Sequence, residues 1–262
     1  MEHNHVHQAS GTAFDLLLTL PFVLAVIVYL RMAVVSNHRC KRWPFYRYVC
    51  WILGVIFSAA VLIGPIAKLT HENFISHMVG HLFLGMLAPL LLVLAAPMTL
   101  LMRTLRVRSA RRLSRVLKSF PVSIYCNPVV ASILNIGGLW VLYTTELYSA
   151  MHHNLLLHIV VHIHIFIAGY LYTISILYID PAPHRYGFIF RAVVLILSLA
   201  GHGILSKYIY AYPPLGVTTD QAEIGGMIMY YGGDLVEIIL IFIFCQQWYK
   251  AARPRMTVSI TQ

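Results

Sequence analysis

The chain has 262 residues, of which 59% are hydrophobic and only 11% charged, and its formal net charge is +10. Soluble domains keep about a quarter of their residues charged, so a water-soluble globule is excluded and most of this chain faces lipid or other helices. The basic residues are spread over several connections between apolar runs, which argues against nucleic-acid binding and makes the charge a topology signal.

Runs of about 20 apolar residues, the length that crosses a hydrocarbon core, fall at about 13–35, 46–67, 75–101, 121–143, 153–178, 187–210 and 223–248. They predict an all-α polytopic membrane protein: one seven-helix transmembrane domain over 1–262. No internal repeat or low-complexity segment breaks the pattern. The first apolar run lacks a positive leading region and a small-residue cleavage site, so it is expected to stay as a helix. Pro65, Pro89 and Pro97 are candidate kinks in spans two and three, and Pro121 suits the start of span four.

Lys and Arg alternate along the connections. Arg39, Lys41, Arg42 and Arg47 follow the first span, and Arg103, Arg106, Arg108, Arg111, Arg112, Arg115 and Lys118 follow the third. Arg185 and Arg191 bracket the start of the sixth, and Lys250, Arg253 and Arg255 end the chain, whereas the intervening connections hold only Lys68. The positive-inside rule then places the N-terminus outside and the C-terminus in the cytoplasm. Residues 1–12 become an outer His-containing tail and 249–262 a cytoplasmic tail. The Arg-rich connection can also touch anionic lipid.

With that orientation the reactive side chains sort by side. Cys40, Cys50, Cys126 and Cys245 fall at the inner side, where they stay reduced, and they show no C-x-x-C spacing. Histidine does the opposite: His3, His5, His7, His71, His77, His81, His152, His153, His158, His162 and His202 map to the outer surface or outer half of a span. His164 lies near mid-depth and only His38 and His184 lie inside. At 1.5 Å per residue, His77 and His81 lie within about 10 Å of the outer end of span three, and His158 and His162 about 7–14 Å into span five.

Each pair is spaced i,i+4 and so shares one helix face. Histidine is costly to bury in a membrane, so two pairs at matched depth point to a metal. His and Met without Cys suit copper, Cu(I) more than Cu(II), better than hard cations. Zinc fits neutral imidazole, and facing histidines on two helices could equally hold haem. Met227 and Met229 reach the same slab but point to different faces, so at most one lines a given site. Against these stand plainer readings. His164 and His202 can serve as interhelical hydrogen-bond partners, His152 and His153 can cap a helix, the N-terminal histidines can be a solvated tail, and Met can simply pack. Asp234 and Glu237, i,i+3 and deep in span seven, must be protonated, paired or in a polar interior, with Arg191 and Lys207 as candidate partners.

Several short motifs occur in order along the chain: His77-Met78-x-x-His81, Ala88-Pro89-Leu90-Leu91, Ala96-Pro97, Leu142-Tyr143 with Glu146, His158, and Asp220-Gln221-x-x-x-Gly225-Gly226-x-x-Met229. In these motifs and in its seven-span plan the chain resembles the CtaG family of cytochrome c oxidase assembly factors, found with caa3-type oxidases in Gram-positive bacteria. The resemblance implies delivery of copper to the oxidase catalytic subunit in the bacterial cell membrane, with no enzymatic activity. Copper is then expected to be captured by His71 and the N-terminal histidines, with a copper donor protein as a further partner, and held between spans three and five. His77, His81, His158 and His162 are the expected ligands, with Met78, Met227, Met229 and His153 as auxiliaries. Two rivals follow from the residues alone. One is an outward-facing metalloenzyme with di-iron His boxes at His77/His81 and His152/His153; the other is a haem-binding membrane protein. A metal-free scaffold for oxidase assembly is the plainest reading. No nucleophile–base–acid arrangement is visible.

Overall fold

The computed structural model describes residues 3–63, 69, 73–182 and 184–253, with side chains from residue 18 onward. His71 and Pro65 lie outside these residues, as do the side chains of His3, His5 and His7. Among the described residues the chain is helical with no strand. In chain order the helices are α1 (His3–Arg39), α2 (Phe45–Leu62), α3 (Phe74–Thr104), α4 (Val107–Leu117), α5 (Phe120–Tyr125), α6 (Pro128–Thr144), α7 (Leu147–His153), α8 (Leu155–Ile176), α9 (Phe188–Ala211) and α10 (Thr219–Ala252). Six are long and apolar enough to cross a membrane, and the bent pair α6–α7 makes a seventh.

The fourth span departs from expectation. Pro121 opens only the short α5. The spanning helix starts later, at Asn127-Pro128, where the Asn127 carboxamide accepts a hydrogen bond from Val129 N at 2.9 Å and Pro128 occupies the first turn. At the other end the hydroxyls of Thr144 and Thr145 donate back to the carbonyls of Trp140 and Val141, each at 2.6 Å. The chain turns by 77° and continues as α7, through residues expected to form a loop. The polar side chains end α6 by competing for its backbone.

Helix α3 is the axis of the bundle: 67% of its apolar window is buried, against 11–33% for the other single-helix spans. It packs on α2, α8 and α10, while α9 packs on α10 and α6, and α1 lies against α2 and the far end of α3. Both prolines expected to distort α3 do so. Pro89 has no N–H to bond Gly85, and residues Leu82–Leu87 widen into a π turn in which Ala88 N bonds the Phe83 carbonyl. The freed Gly85 carbonyl faces Gly169 of α8 so closely that a Cβ there would run into it. Before Pro97, Ala96 turns left-handed at φ 51° and breaks the helix. The Ala95 carbonyl accepts from Tyr29 OH at 2.8 Å, and Tyr29 accepts from Trp43 Nε1 at 3.0 Å. Beyond the break, Asp180 receives Met98 N at 3.1 Å, Thr99 N at 2.8 Å and the Thr99 hydroxyl at 2.6 Å. This carboxylate stands where an N-cap would. Asp180→Ala is expected to lower stability by about 1–2 kcal/mol, read as a drop in thermal midpoint in detergent.

Candidate metal centre

The histidine end of the bundle is the N-terminal end of α3, α8 and α10. Asn73 caps α3 by accepting from Ile75 N at 2.8 Å, and Phe74 N donates to Gln221 of α10 at 3.4 Å. This places His77 and His81 in the first two turns, both turned into the bundle and at most 4% exposed. On α8, capped by Asn154 through Leu157 N, His162 is buried and His158 half-buried. Their rings lie 4.0 Å apart, and His162 Nδ1 lies 2.9 Å from the His158 carbonyl. With Nδ1–H donating there, the His162 tautomer carries its lone pair on Nε2.

The two i,i+4 pairs approach each other through one ring of each. The His77 and His162 ring centroids are 6.1 Å apart. His77 Nε2 contacts Tyr143 OH at 3.1 Å, and Tyr143 also packs on His81, at 6.4 Å between centroids. The bend between α6 and α7 explains this enclosure: Tyr143 lies before it and Tyr148 after it, and Tyr148 sits 5.1 Å from His77. Met78 and Met229 are fully buried in the same apolar cluster as Phe74, Tyr143 and Tyr148. Among the described residues no three His, Cys, Asp or Glu side chains converge on one metal position.

His81 lies beside His202 of α9, with ring centroids 6.4 Å apart. His202 is buried, and its Nδ1 lies 3.2 Å from Glu237 of α10. Glu237 therefore pairs with His202, where the sequence suggested Arg191 or Lys207. Arg191 instead donates to the Ile176 carbonyl and lies over the Tyr178 ring, and the Lys207 ammonium lies 5.1 Å from the Tyr230 ring centroid. Sequence reasoning left His202 as a solitary histidine. The available signal was Glu237 itself, a deep carboxylate at a depth that only a neighbouring helix could partner.

The remaining candidates lie elsewhere. Met227 is 43% exposed on the outside of α10, two residues from buried Met229. His153 is exposed and, with His152, lines a pocket of about 260 Å³ beside Phe74 and Gln221. His164 contacts the Leu134 carbonyl in the π turn of α6 at 3.1 Å, which is the interhelical hydrogen-bond role. All four cysteines are free, and Cys126 shares a pocket with His184, outside the histidine cluster.

A family model described as "Cytochrome c oxidase caa3 assembly factor (Caa3_CtaG)" matches residues 27–251, a range that contains every histidine of this cluster and Glu237. An "Uncharacterized protein" of Mycobacterium leprae is 26% identical over 258 residues, covering 90% of this chain and 39% of its own length. Another, of Mycobacterium bovis, is 26% identical over 261 residues, covering 92% and 40%. The chain thus spans about two fifths of the length of the curated relatives it matches. No solved structure matches it significantly.

Proposed function

Because the chain belongs to the cytochrome c oxidase caa3 assembly factor family, we propose that it acts in building a cytochrome c oxidase in the bacterial cell membrane, by carrying copper as Cu(I) between α3 and α8. The observation that carries this reading is the buried His77–His162 pair. Two imidazoles sharing one ion through metal–nitrogen bonds of about 2 Å place their ring centroids roughly 5–6 Å apart, according to the angle at the metal. The observed 6.1 Å fits the open end of that range. Linear two-nitrogen coordination is natural for Cu(I) and foreign to calcium or magnesium, which want six or more oxygens. The thioethers of Met78 and Met229 in the same cluster suit the same soft ion.

His158 stacks on His162 and orients it, while His71, His153 and the N-terminal histidines are the capture groups on the side where copper enters. The Lys and Arg alternation supports that side as the outer face. Copper reaches it from a donor protein and leaves for the oxidase catalytic subunit. The haem reading is disfavoured by space: the rings of Tyr143, Tyr148 and Phe74 pack around His77, and the enclosed cavity beside His81 holds about 30 Å³. Sites for ligands of drug or cofactor size need roughly 300 Å³ or more. The di-iron reading is disfavoured because its second box, His152 and His153, is exposed whereas His77 and His81 are buried.

His162→Ala is expected to lower copper affinity of the purified protein by at least about tenfold. An anaerobic titration against a Cu(I)-selective chromogenic chelator measures this, and unchanged affinity would contradict the site.

A further inference from the structure

Four features around His81 are not used by the His77–His162 pair. Both ring nitrogens of His81 and Nε2 of His202 are buried with no hydrogen-bond partner among the described residues. Such atoms are rare, because an unpaired polar group in a low-dielectric interior loses its water without compensation. Both rings line one enclosed cavity of about 30 Å³, the room of a water molecule or a bare ion. The rings are also 6.4 Å apart, close to the separation of two imidazoles on opposite sides of one ion. Finally, Glu237 holds the other nitrogen of His202 at 3.2 Å. A carboxylate on the distal nitrogen is the usual device for aiming a histidine at a metal and raising its basicity.

We propose that His81 and His202, with Glu237 as the positioning carboxylate, form a second Cu(I) position one step further into the bundle than the His77–His162 pair. The proposal rests on the copper-carrier reading above. Charge supports it: a monovalent cation on two neutral imidazoles offsets the Glu237 carboxylate, giving a buried set with no net charge. Glycines keep the space open, since a Cβ at Gly233 would strike the His202 ring and one at Gly85 would crowd His81. His77 and His81 are one turn apart on α3 and both touch Tyr143, so the two positions are neighbours along the helix. Glu237 also lines an open groove of about 470 Å³ between α9 and α10 with Lys207, Asp234 and Tyr230. The inner position therefore lies one carboxylate away from the side of the bundle.

The test is anaerobic Cu(I) titration of the purified chain in lipid nanodiscs, with copper X-ray absorption on the loaded protein. The wild type is expected to take up two ions. His202→Ala and His162→Ala are each expected to take up one, and the ion remaining in His162→Ala is expected to show a two-nitrogen shell. Glu237→Gln, which keeps the shape of the side chain, is expected to retain both ions with the inner one weakened about tenfold. Should His202→Ala fail to fold, Glu237→Gln and the wild-type stoichiometry carry the test. Two ions in folded His202→Ala, or unchanged affinities in Glu237→Gln, would overturn the inner position. A wild type that takes up one ion, lost in His162→Ala, would overturn it while leaving the outer site standing, and a wild type that takes up none would overturn the carrier reading itself.

Discussion

Replacing His77 and His81 together by alanine is expected to strip the purified protein of copper and to abolish cytochrome c oxidase activity in cells that depend on this chain. The two residues occupy one face of α3, yet each reaches a different partner, His77 toward His162 and His81 toward His202. A double substitution therefore removes one imidazole from each pair and leaves no two-nitrogen position. The structural cost is separable. Truncation leaves Tyr143 OH without its 3.1 Å contact and opens space in a buried cluster, together about 2–4 kcal/mol. Helical content and thermal midpoint report that cost, and copper per chain reports the site. Loss of copper in protein that still folds is the expected pattern; normal copper content would remove these histidines from the account.

Gly169→Leu is expected to have the largest effect of any single substitution outside the histidines. Gly169 sits where α8 crosses the π turn of α3, and even a Cβ there would overlap the Gly85 carbonyl and press on Pro89. The obstruction is backbone, which cannot rotate away as a side-chain tip can, so the helices must separate. The expected loss is more than about 3 kcal/mol, at or beyond the usual upper range for overpacking a core. Because α8 carries His162 and α3 carries His77, any protein that survives in the membrane should also bind copper poorly. Gly203→Ala is the matched control: a Cβ there would meet the Tyr230 ring at 3.6 Å, an ordinary contact, and no loss of stability is expected. Membrane yield and thermal midpoint decide between these outcomes, and a wild-type-like Gly169→Leu would contradict the close crossing.

Much of this architecture was readable from apolar runs, because a chain in lipid must satisfy its backbone within helices. The places where reading failed are those set by side chains acting on a helix end. Thr144 and Thr145 turn α6 into α7, and nothing in an apolar average reports a hydroxyl bonding its own helix. Asn127-Pro128 is a clear helix start in hindsight, masked by Pro121 seven residues earlier. In the candidate centre, i,i+4 spacing foretold that His77 and His81 share a face, and helical period foretold that Met227 and Met229 do not. Which of the two methionines is buried, and that His81 turns to His202 while His77 turns to His162, depend on how α3, α8, α9 and α10 are arranged around one another. Glu237 needed a partner by its depth, but its identity was a tertiary fact.

The central claim is that this bundle carries copper on paired imidazoles. Metal analysis of the chain purified from copper-supplied cells, with an absorption spectrum of the same sample, tests it most directly. Copper bound to the wild type, absent from the His77→Ala/His81→Ala variant and accompanied by no Soret band, is the result the account requires. A copper-free wild type, or one holding haem or iron instead, would contradict it.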